Sequence, residues 1–259
     1  MILSHDDDDG TGPAVLLLHA GVADRRMWEP LVAPLRHAFR VVRADLRGFG
    51  DTPLPGGEYA DADDVAALLD HLGLDDAAVV GASFGGRVAL ELAATHPGRV
   101  RELVLLCPSV RGLEPTDALR AFDVEEDRLL SAGDVEGAVR LNVATWLGPD
   151  ADVPAREALA AMQRRAFEVQ LEADAGDDPP RARRLDVDLA ALRVPTVVVS
   201  GGQDMDHLRA CAAHVAAEVP GAEHVVLGWA GHLPALERPD AVRALLLDVL
   251  RDDPAVHAP

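Results

Sequence analysis

The stretch VVGASFGGRVAL, residues 79–90, decides how the rest of the chain is read. A short apolar run precedes it, a helical pattern follows, and Gly81-Ala82-Ser83-Phe84-Gly85 stands between them as a G-x-S-x-G sequence. Buried segments usually avoid an isolated hydroxyl set among flexible residues. A sharp strand-to-helix turn accounts for both, because it forces its central residue into strained backbone with φ above zero. The positions two residues away then approach other backbone, so Gly81 and Gly85 carry no side chain there. The Ser83 hydroxyl is expected above the sheet edge, facing the free N–H groups and positive end of the next helix. A glycine-rich turn with an incidental serine is the plainer alternative. It loses ground because strand and helix flank the pattern on the required sides.

Outward from this turn, short apolar runs alternate with helical patterns. AVLLLHAG (14–21), RVVRADLRGFG (40–50), AAVVGAS (77–83), RELVLLCP (101–108), PTVVVSGG (195–202) and AEHVVLGWAGH (222–232) read as strands ending in loops. Runs of this kind, bounded by Gly or Pro, fit strands covered on both faces. Helices are expected at about 27–38, 61–73, 84–96, 206–219 and 238–251. The alternation predicts an α/β protein with a mostly parallel central sheet and helices on both faces. It stops between Arg111 and Arg193, where the sequence is helix-like with acidic patches and prolines. The expected organisation is a core of residues 1–110 and 194–259 with an inserted helical cap at 111–193. EADAGDDPPRARR (172–184) is expected to be the exposed return linker.

The 259-residue chain has a net charge of −20. Phosphates would be repelled, so nucleic acid and anionic membranes are poor partners. Every basic side chain other than histidine is arginine. This excludes a lysine Schiff base and a P-loop lysine. The two cysteines, Cys107 and Cys211, sit in apolar surroundings and are expected as free thiols in a reducing compartment, with a disulfide between them the alternative. No apolar run reaches the roughly 20 residues of a membrane span. The N-terminus has no basic region followed by an apolar one, so no signal peptide is expected and the cytoplasm is the expected location. HDDDDG (5–10) invites a calcium reading, but its spacing is not that of an EF-hand loop. A solvated turn is expected there.

A serine nucleophile needs a general base and an acid to orient it. His232 in LGWAGHLPALERPD follows a strand and sits on a Gly-punctuated loop before a helix. His37, His71, His96 and His214 lie in or at the ends of helical patterns, and His5, His207, His224 and His257 lack a strand-end placement. His19 ends a strand but fits a turn-stabilising role better. For the acid, Asp204 in VVVSGGQDMD follows a strand through a glycine turn. Asp206 is the alternative, though a cap on the next helix suits it. Asp45 and Arg47 read as loop braces, Trp28 as core packing, and Trp146 either as a pocket wall or as cap packing.

Five ordered segments together resemble the α/β-hydrolase fold superfamily, in its serine-nucleophile, esterase- or lactonase-like branch with a helical cap. LLLHAG is similar to the His-Gly oxyanion motif and DLRGFGDT to the Asp-x-Arg-Gly-x-Gly-x-Ser loop, with Thr52 in place of serine. GASFGG resembles the nucleophile elbow, GGQD the acid turn and GHLPALERPD the histidine loop. The resemblance implies Ser83 as nucleophile, Asp204 as acid and His232 as base. It implies an oxyanion hole of the Phe84 and Gly21 N–H groups, with Val22 the second choice for the latter. Alanine at position 20, where the family usually has glycine, adds a methyl group beside that hole. Val22, Trp146 and Leu233 are candidate walls of the substrate pocket. Serine at the elbow, rather than aspartate, argues against dehalogenase and epoxide-hydrolase chemistry. The implied activity is hydrolysis of a small apolar carboxylic ester or lactone without metal or cofactor. Thioester, C–C bond and perhydrolase chemistry stay open on the same triad, as does a small-molecule receptor with a slow or silent triad. Oligomeric state stays open.

Overall fold

A computed structural model describes residues 1–251; His257 lies outside them. Nine strands are described: β1 (His5–Asp7), β2 (Ala14–Leu18), β3 (Arg40–Ala44), β4 (Gly57–Tyr59), β5 (Ala77–Ala82), β6 (Val100–Leu106), β7 (Pro180–Ala182), β8 (Thr196–Gly201) and β9 (Glu223–Leu227). Seven form one sheet in the order β1-β3-β2-β5-β6-β8-β9. Every neighbouring pair is parallel except β1 with β3.

All residues of β2, β5 and β8 are buried, as expected of strands covered on both sides. Their two-residue period splits the core into two layers. Val15, Leu17 and Val80 face one apolar cluster, while Leu16, Leu18 and Val79 face the other. The first layer is closed by α1 (Glu29–Leu35) through Leu31 and Leu35, the second by α2 (Asp61–His71) and α3 (Phe84–Thr95) through Leu69 and Val88. Between β6 and β8 the chain forms α4 (Asp117–Ser131), α5 (Val135–Trp146) and α6 (Val153–Asp174). It then returns through α7 (Asp206–Glu218), α8 (Pro234–Glu237) and α9 (Pro239–Arg251). Among the described residues no helix is long and apolar enough to cross a membrane.

Two sequence expectations are corrected. His5–Asp7 is an edge strand rather than a turn, with His5 opposite Ala44 and Asp7 opposite Val42. Arginines make this possible: Arg25 pairs with Asp6 at 3.0 Å, and Arg40 pairs with Asp7. Charge on an edge strand also discourages pairing with other chains. The supposed return linker is shorter than 172–184, because α6 runs to Asp174 and β7 pairs in parallel with β4, Gly57 opposite Pro180. Local sequence hides that pairing, since it joins two three-residue strands far apart in the chain.

Candidate active site

Ser83 directly follows β5 and has φ 49° and ψ −110°, in the left-handed half of backbone space. Its N–H donates to the Leu106 carbonyl at 2.9 Å, and its own carbonyl accepts from Arg87 and Ser109 N–H groups, each at 3.1 Å. The flanking glycines have no room for a side chain. A Cβ on Gly81 would lie 2.5 Å from the Gly85 carbonyl oxygen, and one on Gly85 would strike the Leu18 and His19 carbonyls. The strain at residue 83 is therefore imposed from both sides.

The ends of β5, β6, β8 and β9 present, in order across the sheet, Ser83, Cys107, Asp204 and His232. Asp204 Oδ2 accepts from His232 Nδ1 at 2.7 Å. A carboxylate only accepts, so Nδ1 carries the hydrogen and Nε2 keeps its lone pair. The pair is well buried, with His232 4% and Asp204 7% exposed. Asp204 Oδ1 takes the Met205 N–H at 2.7 Å, which fixes the carboxylate plane. Asp206 is elsewhere: it opens α7 as its first residue, the cap position being Met205, and accepts from the Thr116 hydroxyl at 2.7 Å. Among the described residues no hydrogen bond links Ser83 Oγ to the imidazole.

Cys107 completes a buried cluster with Asp204 and His232, their donor atoms all within 4.8 Å of one another. Burial and the Asp204 carboxylate push its thiol well above the usual cysteine range. A thiol held protonated is a poor nucleophile. A tetrahedral zinc bound to both the imidazole and the carboxylate would hold those atoms about 3.4 Å apart, wider than the observed 2.7 Å.

His19 is fully buried and joins two loops: Nδ1 donates to the Ala20 carbonyl at 2.8 Å and Nε2 accepts the Leu46 N–H at 2.9 Å. Burial holds its pKa below the ordinary value, so it serves as a neutral strut. Asp45 and Arg47 brace as well. Asp45 takes the Arg25 and Asp51 N–H groups at 2.8 and 2.9 Å, and Arg47 pairs with Asp64. Gly21 comes up against Phe84, a Cβ there lying 3.3 Å from Phe84 Cβ. Among the described hydrogen bonds neither the Gly21 nor the Phe84 N–H has a protein acceptor. Ala20 is fully buried in the core, its N–H directed at Met27 Sδ at 3.4 Å. Trp146 and Leu233 belong to one apolar cluster, with Val22 packed against it.

Two residues of this region escape a sequence reading. Glu237 accepts from Gly231 N–H at 2.9 Å and Leu233 N–H at 3.2 Å, bracketing His232. Asn142, 1% exposed, accepts the Trp146 indole N–H at 2.9 Å. Glu237 stands five positions after the histidine, where a carboxylate on the next short helix can reach back; Asn142 carries no local signal. A groove of about 560 Å³, lined by Pro97, Gly98, Arg193 and Pro195 among others, lies where β6 and β8 begin, away from these strand ends.

The model of the alpha/beta hydrolase fold family matches residues 13–239. A pimeloyl-(acyl-carrier protein) methyl ester esterase of Neisseria meningitidis is 32% identical, over 90% of this chain and 92% of its own length. A thermophilic esterase from Thermogutta terrifontis superposes with a TM-score of 0.79 at 28% identity, covering 99% of this chain and 94% of that one. The enol-lactonase from Burkholderia xenovorans LB400 gives 0.78 at 26% identity, with 96% of each chain covered.

Proposed function

The chain belongs to the alpha/beta hydrolase fold family, and from that premise we propose that it is a serine hydrolase cleaving a small apolar carboxylic ester or lactone. The observation that carries the reading is the buried 2.7 Å Asp204–His232 bond at the same sheet edge as the strained Ser83 turn. In this reading Ser83 Oγ attacks the carbonyl carbon while His232 Nε2 takes its proton. Asp204 holds the imidazole in the Nδ1–H form and stabilises the imidazolium. The Phe84 and Gly21 N–H groups receive the oxyanion, each contributing roughly 3 kcal/mol. The imidazolium then protonates the leaving oxygen. Water, activated by the same base, releases the acid and restores Ser83. A lactone opens by the same steps, its leaving oxygen staying attached.

The segment 111–193 is assigned as the cap, with Val22, Trp146 and Leu233 as walls for the apolar part of the substrate. The esterase and enol-lactonase among the similar proteins support an ester or lactone substrate. The free, buried thiols of Cys107 and Cys211 suit a reducing compartment, and the cytoplasm is the setting we assign.

A p-nitrophenyl ester series with wild type and Ser83→Ala tests the reading. Wild type should turn over short acyl esters, and the variant should lose about three orders of magnitude or more. Equal activity in both proteins removes Ser83 as nucleophile. Equal inactivity, with no fluorophosphonate attached to wild-type Ser83, favours a receptor instead.

A further inference from the structure

His232 is held on its inner side by Asp204 and on its outer side by the end of α5. Its N–H donates to the Trp146 carbonyl at 3.0 Å. The indole lies against the imidazole, ring centroids 5.0 Å apart and planes at 46°. The indole is itself fixed. Its N–H donates to Asn142 Oδ1, and Asn142 Nδ2 donates to a Glu126 carboxylate oxygen and to the Ala138 carbonyl at 3.0 Å. Phe122 meets the indole edge-on, with ring centroids 4.8 Å apart. Phe122 and Glu126 are one turn apart on α4, as are Asn142 and Trp146 on α5. The helices thus meet through one apolar rung and one polar rung. The amide of Asn142 uses both its oxygen and its nitrogen, so its buried side chain has one satisfied arrangement.

The contact continues past the tryptophan. A Cβ on Gly148 would strike the Glu237 carboxylate and come 3.0 Å from Gly231 N, while one on Gly231 would lie 2.8 Å from Gly148 Cα. Two glycines therefore let this backbone sit directly on the histidine loop.

The Nδ1···Oδ2 bond alone leaves the imidazole free to rock about that line. An aromatic ring packed against the imidazole, tilted by 46° with centroids 5.0 Å apart, limits the rocking. We propose that Trp146, anchored by Asn142 and Glu126, is a positioning residue for His232, setting the tilt that brings Nε2 to Ser83 and tying the general base to the seating of α4 against α5. The inference rests on the serine-hydrolase reading and deepens it.

Fluorophosphonate labelling of Ser83 tests it, because the reaction needs the general base but no natural substrate. The maximal labelling rate and the half-saturating probe concentration are measured for wild type, Trp146→Phe, Trp146→Leu and Asn142→Leu, with thermal melts as the folding control. Trp146→Leu should lower the maximal rate about tenfold with half-saturation within about twofold. Trp146→Phe, which keeps a ring on the imidazole, should recover most of the loss. Asn142→Leu, which keeps the indole but frees it, should cost about threefold to fivefold. An unchanged maximal rate with weaker half-saturation would make Trp146 only a pocket wall, and phenylalanine performing no better than leucine would also overturn the inference. If Trp146→Leu fails to fold, the Phe and Asn142 variants decide. Wild type that takes no label removes the hydrolase reading and this inference together; labelled wild type with all variants at its rate removes the inference alone.

Discussion

The Ser83 turn and the His232 loop lie at the same sheet edge but are built differently. The serine turn draws its geometry from its own neighbours: Gly81, Gly85 and the strand–helix junction leave residue 83 only a strained conformation. The histidine loop has little shape of its own. Asp204 after β8, Trp146 at the end of α5 and Glu237 on α8 each hold one side of it. A turn made by local sterics resists change until it is overfilled. A loop held by distant side chains should lose function by degrees as each is removed.

Asp204→Asn probes the loop hardest. It should cut turnover by about 10⁴-fold, because the amide no longer selects the useful tautomer, while the melting temperature shifts little. An activity loss below tenfold would show that another acid serves His232. Gly85→Ala probes the turn. Its methyl group meets the Leu18 and His19 backbone carbonyls, and neither is free to move aside. A loss of about 3 kcal/mol in urea denaturation is expected, and a neutral result would mean that the turn relaxes more readily than its packing suggests.

Glu237→Gln is a milder test of the loop. The amide can serve one of the two N–H groups the carboxylate holds, so about 1–2 kcal/mol should be lost. Fluorophosphonate labelling should slow with it, a readout that separates loop placement from bulk stability. The smallest effect belongs to Asp61, the first residue of α2, on the serine side of the molecule. Burial pushes its carboxyl up to about 6, with Arg87 opposing. Its folded value exceeds its unfolded one, so the folded state binds the extra proton between about pH 4 and 6 and the charged form weakens the fold above that range. Asp61→Asn should therefore add about 1 kcal/mol of stability at pH 7.5 relative to the parent. The gain should shrink toward zero near pH 4, and denaturation at both pH values checks the sign.

The same contrast explains what is legible in the chain. The six long strands and the helices that follow β4, β5, β8 and α8 lie within a few residues of their sequence expectations, because apolar period and glycine punctuation are local signals. The edge strand at His5–Asp7 is not legible: four consecutive aspartates look like a solvated turn, and the arginines that pair with Asp6 and Asp7 stand 19 and 33 residues further along the chain. The β4–β7 pair is hidden for a related reason, since neither three-residue strand has a pattern of its own.

At the site, the strain at Ser83 and the choice of Asp204 as the partner of His232 follow from residue type and placement after a strand. The roles of Asn142, Glu126 and Glu237 do not. What the amino-acid order determined alone is a parallel α/β core and the identity of the side chains delivered to the ends of its strands, because short-range sterics and apolar periodicity act within a few residues. Only the tertiary structure decided how the imidazole is clamped and what lies over it. Those contacts join segments whose separation in the chain carries no information about their distance in space.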